Sequence, residues 1–316
     1  MDRKLRRAFA ALAIFSASFT CHAAPLAYVS NEGSATVSVI DTATDRIVST
    51  ITTGSKPRGI AVSLDGKRLF VSERDAGAVV AYDTASGKEA GRVAVGKSPE
   101  GIYLSPDGQW LTAAVEENDE VAIVDTGKLA VAKRIRMRGK NPEHAVWSPD
   151  GKWIYASAED TDKLDIIDVA KGAVVKSITV GTRPRGIGFL PDGSRAYVAA
   201  ETAGVVNAID VRTREAIARI PASLRTNGIT IAPDGKHVYA SSGGKGTVQF
   251  IDVATNRIVK EVAVGKRPWN MAITPDGRKL YVACGRSDAA AVIDTARMEK
   301  VGEIAVGRLP WGVAIR

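Results

Sequence analysis

Seven copies of one phrase, spaced 42 or 43 residues apart, constrain this chain more than any other feature. Each copy has an apolar residue, then Asp, then Thr or Val, with the Asp at 41, 83, 125, 168, 210, 252 and 294. A second marker is a hairpin signal, usually Pro-Asp-Gly, whose Asp is residue 65, 107, 150, 192, 234 or 276. A third is Gly-x-x-Pro, with Pro at 57, 99, 142, 184, 268 and 310 and Thr226 in the matching place of the remaining copy. A repeat of this length matches a four-stranded blade. Between the markers lie four short runs of β character, for example Gly186–Leu190, Arg195–Ala200, Val205–Asp210 and Ala216–Pro221. No helical period of any length follows residue 24.

The two ends explain why seven Asp markers accompany only six hairpin signals. The body of the chain begins with a second-strand run, Ala27-Tyr28-Val29-Ser30, and stops on a first-strand run, Gly312-Val313-Ala314-Ile315-Arg316. The last strand therefore completes the blade that the first three begin, and closure hides the strand edges an open array would expose. The expected fold is all-β: a seven-bladed β-propeller of four-stranded blades over residues 24–316, closed by the C-terminal strand joining the N-terminal three.

Residues 1–23 read as a separate object. Arg3, Lys4, Arg6 and Arg7 precede a short apolar stretch, Ala8 to Phe19, and Cys21-His22-Ala23-Ala24 offers small residues for cleavage. A Sec-type signal peptide cut after Ala23 is expected, which puts the mature protein in the periplasm or outside the cell. Phe19-Thr20 is a poor lead-in for a lipid anchor on Cys21. The stretch is too short to span a bilayer, and no transmembrane segment is expected in the mature chain. Cleavage would remove four bases and Asp2, taking the formal charge from +8 to +5. That balance alone argues for neither nucleic acid nor anionic lipid. Only Cys284 would remain, so no internal disulfide is available, and with only His144 and His237 beside it the usual Cys/His zinc sites are excluded.

Here the family resemblance becomes visible. Tyr28-Val29-Ser30-Asn31 resembles the YVTN signature, with variants at Phe70-Val71-Ser72-Glu73, Tyr197-Val198-Ala199-Ala200 and Tyr281-Val282-Ala283-Cys284. The whole mature chain, ending Val306-Gly307-Arg308-Leu309-Pro310-Trp311, resembles the YVTN propellers associated with pyrroloquinoline-quinone-dependent alcohol catabolism. The resemblance implies an exported accessory protein whose partner is a quinoprotein dehydrogenase or its cytochrome. No residue pattern shows quinone binding, and no cofactor is expected.

Symmetry separates scaffold from site. The marker Asp residues suit turns in which a carboxylate bonds backbone N–H groups two residues on. The recurring Tyr or Phe at 28, 70, 155, 197, 239 and 281 reads as inter-blade core. The residue after each Gly-x-x-Pro proline should border the central channel and varies in kind: Arg58, Glu100, Glu143, Arg185, Asn227, Trp269 and Trp311. The following position is usually Gly, where backbones must pass closely, but is His144 and Asn270 in two copies. A second ring begins the loops between strands two and three: Glu32, Arg74, Glu116, Glu159, Glu201, Gly243 and Gly285, the two glycines opening space near the tryptophans.

Two readings of these rings stay open. One is a lopsided recognition bowl with an acidic and an aromatic wall. The other is a salt-bridged collar around a channel plugged by Trp269 and Trp311. A divalent-metal site at Glu143, His144 and Glu100 has no supporting ligand spacing, and no metal is expected. Lys56, Lys97, Lys140, Arg183, Arg225, Lys266, Arg267 and Arg308 give the same face a positive rim of solvated loops.

The leading functional expectation is a non-enzymatic binding propeller acting as a monomer, since no nucleophile, base and orienter converge. One alternative is a lactonase-like hydrolase, by likeness of blade architecture to the seven-bladed lactone hydrolases, using Glu143, His144, Glu100 and Arg185. Another is single-stranded nucleic-acid binding on the basic, tryptophan-bearing face. A haem role has only His144 as an axial ligand and no Cys-x-x-Cys-His motif.

Overall fold

Strand chemistry dominates wherever the repeat runs. In a computed structural model, residues 24–316 are described and form 28 strands, numbered β1 to β28 in chain order. They make seven four-stranded antiparallel sheets. The signal peptide expected over residues 1–23, with its cut after Ala23, lies outside the described residues. Blade 1 comprises β1 (Leu26–Asn31), β2 (Thr36–Asp41), β3 (Arg46–Thr52) and β28 (Pro310–Ile315), in the order β28-β1-β2-β3. Val29 pairs with Val313 and Tyr28 with Ala314, so the expected closure is present. Blades 2 to 7 then follow in chain order, starting at Pro57, Pro99, Pro142, Pro184, Thr226 and Pro268.

Burial follows strand position within a blade. Inner strands are covered on both faces by neighbouring blades and read as continuous apolar runs, whereas β3 is almost wholly exposed. Five of the six recurring aromatics are tyrosines or phenylalanines no more than 2% exposed, Tyr239 being 3%. They pack between blades: Tyr28 lies with Val62 and Leu69 of blade 2, and Tyr155 meets Phe189 edge-on at 4.8 Å between ring centres. Proline opens six of the seven first strands, where its missing N–H costs the ladder least.

The marker carboxylates are turn devices. Asp41 accepts from the N–H of Ala43 at 2.7 Å and of Thr44 at 3.1 Å. Asp83, Asp125, Asp168, Asp210, Asp252 and Asp294 likewise accept from the N–H three residues on. Among the described residues no helix is long and apolar enough to cross a membrane.

Candidate functional site

Both rings are held in place by one repeated backbone contact. The residue before each first strand has positive φ, although none is glycine: Lys56, Ser98, Asn141, Arg183, Arg225, Arg267 and Leu309, from +52° to +64°. Such a conformation costs an L-residue about 1–2 kcal/mol and needs a repeated reward. Each carbonyl accepts the N–H of the second-ring residue, Arg74 from Lys56 at 3.1 Å and Glu201 from Arg183 at 2.8 Å among them. Glu32, Glu116, Glu159, Gly243 and Gly285 are pinned in the same way at 2.8–3.1 Å.

A serine clasp sets the distance between blades. Ser72 Oγ accepts the N–H of Gly59 at 2.8 Å and donates to the carbonyl of Glu100 in the next blade at 2.7 Å. Ser241 does the same between Gly228 and Trp269, and Ser30 between Gly312 and Arg58. The glycines are required there: a Cβ on Gly59 would sit 2.4 Å from the Glu100 carbonyl oxygen, and one on Gly228 2.4 Å from that of Trp269.

The acidic positions turn inward and meet arginines from adjacent blades. Arg58 Nη1 lies 2.6 Å from Glu100 and Nη2 3.1 Å from Glu32. Arg74 reaches Glu100 and Glu116, each at 3.2 Å. Arg185 contacts Glu143, Glu159 at 3.0 Å and Glu201 at 2.9 Å. Arg183 contacts Glu159, and Arg267 Nη2 donates to Glu201 at 2.7 Å. Glu100, Glu143 and Arg185 are buried. This is the collar geometry: Glu32, Glu100, Glu116, Glu143 and Glu159 each meet an arginine of a neighbouring blade, and Glu201 meets Arg185 of its own blade and Arg267.

Burial and crowding distribute the protons. Burial, reinforced by the Glu143 charge, pushes Glu100 well above the usual carboxylate range despite Arg58. Burial also lifts Glu159 to about 7 against the pull of Arg185. Glu201, although buried, is held low by Arg185 and Arg267. Glu100, Glu116 and Glu143 bring carboxylate oxygens within 4.8 Å of one another, but Arg58, Arg74 and Arg185 already occupy them.

The axis is closed by stacked rings. His144 is fully buried, stacks on Trp311 at 5.9 Å and 13° between planes, and shares a 2.6 Å hydrogen bond from Nδ1 to Tyr103 Oη. Burial drives its pKa down to about 4, so the imidazole is neutral. Its Nε2 and both polar side-chain atoms of Asn227 have no partner among the described residues. Asn270 Nδ2 donates to the Trp311 carbonyl at 3.3 Å.

The two tryptophans therefore do different things. Trp311 is 3% exposed and plugs the axis, whereas Trp269 is only half-buried, with the Arg267 guanidinium 4.2 Å from its ring centre. Space near them is not open. The indole of Trp269 fills the place a Cβ on Gly285 would take, 2.5 Å away, and Arg267 lies 3.0 Å from that of Gly243. Arg183 and Arg267, read in the sequence as rim cations, belong to the collar. Tyr103 and the clasp serines were missed; the serines recur at 30, 72, 157 and 241, one strand in from the markers, and that recurrence was a readable signal.

Fold and collar together define a closed seven-bladed propeller with a filled centre and variable loops on one face. The chain belongs to the YNCE-like beta-propeller family, whose model matches residues 20–105 and 102–315. Among solved structures it is similar to Kuenenia stuttgartiensis hydrazine synthase, with 25% identity and TM-score 0.78 over 85% of this chain and 92% of that one. A functionally unknown protein from Desulfotomaculum acetoxidans matches at 20% identity and TM-score 0.80, covering 92% of this chain and 98% of its own. The dihydro-heme d1 dehydrogenase NirN, solved in complex with DHE, matches at 18% identity and TM-score 0.69, over 91% of this chain and 74% of its own. No curated protein matches. The two weaker likenesses carry the fold alone.

Proposed function

We propose that this chain is a non-enzymatic, exported binding propeller that docks an acidic protein surface on the arc around Trp269. The observation that carries this reading is the division of charge around one face. Carboxylates of the rings are consumed by arginines inside the collar, while Arg225, Lys266 and Arg286 beside Trp269 are exposed and have no carboxylate partner among the described residues. A half-buried tryptophan within a bare cationic rim suits recognition, where Trp and Arg are favoured anchors. Catalysis has little to work with in the collar, because the neutral His144 is stacked and tied to Tyr103 and each nearby carboxylate is paired.

Export and the quinoprotein partner come from the leader and the sequence resemblance, and the test addresses both. The tagged chain is expressed in its own host during growth on an alcohol, and co-purifying proteins are identified alongside a Trp269→Ala/Arg286→Glu variant. Trp311 is left intact because it plugs the axis. The expected result is recovery from the periplasmic fraction of a quinoprotein dehydrogenase or cytochrome that the variant loses. Equal recovery by both chains, or turnover of a lactone that Glu143→Gln abolishes, would overturn the reading.

A further inference from the structure

Clefts open between neighbouring blades on the ring face, and the one between blades 6 and 7 differs sharply from the one between blades 2 and 3. Between blades 6 and 7 the loop Gly243–Gly246, the segment Ala263–Arg267 and the end of the blade 7 hairpin enclose about 830 Å³. Six cations line it, Arg225, Lys245, Lys266, Arg267, Arg286 and Lys300, against one acid, Glu303. Lys300 pairs with Glu303, Lys245 with Glu261 at 3.1 Å, and Arg267 with Glu201 at 2.7 Å. Arg225, Lys266 and Arg286 have no carboxylate within salt-bridge distance among the described residues.

A second observation points to a missing acceptor. Arg267 Nη1 is buried and makes no hydrogen bond among the described residues, although Nη2 on the same guanidinium is satisfied by Glu201. A charged donor buried without an acceptor is costly. Gly243 lets this guanidinium lie against the loop, Nη1 falling 3.0 Å from where its Cβ would be. Burial, with Arg225 close by, pulls the Arg267 guanidinium below its ordinary value even with Glu201 beside it. Like charges gathered this closely suit an anion.

An equivalent cleft between blades 2 and 3 supplies the control within the molecule. It encloses about 620 Å³ and is lined by Lys56, Arg74 and Lys97 together with Asp75 and Glu117. Lys56 pairs with Asp75 at 3.0 Å and Arg74 with Glu116 at 3.2 Å, so little charge is left over. The excess between blades 6 and 7 is therefore local and does not follow from the fold.

We propose that the cleft between blades 6 and 7 is a binding site for an oligophosphate. Arginine forks match phosphate oxygens in pairs, and Lys266 and Lys245 add point charges at the rim. Three cations with no carboxylate partner among the described residues suit an anion carrying several adjacent oxyanion groups better than a single carboxylate. The cleft shares Arg225, Lys266 and Arg286 with the docking surface, so this inference rests on the same cationic arc, but the two fail separately: tripolyphosphate can bind with no protein partner captured, and a partner can be captured with no saturable tripolyphosphate binding.

The test is calorimetric titration of the full chain with sodium tripolyphosphate at low ionic strength, with Trp269 fluorescence as a second readout through its contact with Arg267. Saturable binding is expected, weakened about tenfold or more in Arg225→Gln/Lys266→Gln/Arg286→Gln and by less than about twofold in Lys56→Gln/Lys97→Gln. All five side chains are exposed or lie at the cleft rim, and unchanged melting curves establish that the variants are folded. No saturable heat up to millimolar tripolyphosphate overturns the proposal. So does equal weakening by the two sets of substitutions, which would show diffuse charge and no site. A short single-stranded oligonucleotide of equal phosphate count is the remaining arm: weaker binding than tripolyphosphate supports a free oligophosphate, and much tighter binding overturns that source in favour of a nucleic-acid backbone.

Discussion

The arc holding blades 2 to 5 and the arc holding blades 6 and 7 share one backbone design and use it in opposite ways. In the first, Arg58, Arg74 and Arg185 find Glu100, Glu116, Glu143 and Glu159, and charge is spent inside the ring. In the second, the matching positions are Asn227, Trp269, Gly243 and Gly285, and Arg225, Lys266 and Arg286 face solvent with no carboxylate partner among the described residues. The positive-φ residue, its carbonyl contact and the serine clasp are common to both arcs. On this shared scaffold the ring side chains vary in kind from blade to blade, so the ring is where the two sectors differ. A neutralised sector specifies how blades sit, since buried ion networks hold position more than they add net stability.

The harshest way to break the comparison is to remove the hub of the neutralised arc. Arg185 bridges three carboxylates and is buried. Arg185→Met strips buried Glu143 of its one ion-pair partner among the described residues, while Glu201 keeps Arg267, and should cost about 3–5 kcal/mol at pH 7. Urea unfolding measures it. A loss no larger than that of Arg225→Met, at an exposed position, would show that the two arcs are energetically alike.

Packing, unlike charge, should be symmetric. Gly59→Ala and Gly228→Ala each drive a Cβ to 2.4 Å from a neighbouring carbonyl oxygen, one in each arc. Both should destabilise by about 1–3 kcal/mol, and by the same amount within about 0.5 kcal/mol. A large difference would mean that the blades around Trp269 are looser than those around Glu100, and differential melting of the two variants would reveal it.

Protons sharpen the contrast further. Glu159 has a folded-state pKa of about 7, above its unfolded value, so the folded chain holds the extra proton. Stability from this group is full below the unfolded carboxylate range and falls as pH rises from about 4.5 to 7. Glu100, also raised, adds in the same direction. His144 opposes them: its folded pKa of about 4 means stability is lost as pH falls below about 6.5. The difference in unfolding free energy between the wild type and Glu159→Gln should therefore change by about 1–2 kcal/mol between pH 4.5 and 7, with the wild type losing more on the alkaline side. A flat difference would show that Arg183 and Arg185 keep Glu159 ionised throughout.

Much of this was legible before any coordinates. Blade count, strand order, ring membership and closure follow from Asp41 to Asp294, the Gly-x-x-Pro loops and the two ends, because each marker has a local physical cause. Which ring side chains would pair was harder to read. Arg58 and Glu100 are 42 residues apart, and the pairing depends on the rotation between two blades, which no local pattern encodes. Opposite signs at equivalent positions of consecutive copies were the available clue. The fates of Trp269 and Trp311 were not legible at all: the same residue at the same repeat position is half-open over Gly285 in one blade and sealed against His144 in another. His144 itself stands where other blades have glycine, and only the shape of the axis decides that its ring turns across the channel.

The finest comparison uses the serine clasp, which is present in both arcs with nearly the same geometry. Ser72 joins Gly59 to the Glu100 carbonyl at 2.8 and 2.7 Å, and Ser241 joins Gly228 to the Trp269 carbonyl at 2.8 and 2.5 Å. Each hydroxyl is buried, and removing it orphans one N–H and one carbonyl between blades. Ser72→Ala and Ser241→Ala should each cost about 1–2 kcal/mol. Ala114, Ala199 and Ala283 occupy the matching position in three other blades, so the fold already tolerates the loss singly. The informative quantity is the double variant. Clasps more than one blade apart share no partner, and their costs should add within about 0.5 kcal/mol. A greater-than-additive loss in urea unfolding would mean that the ring transmits strain around its circumference, and the neutralised and cationic arcs would then have to be treated as one coupled unit.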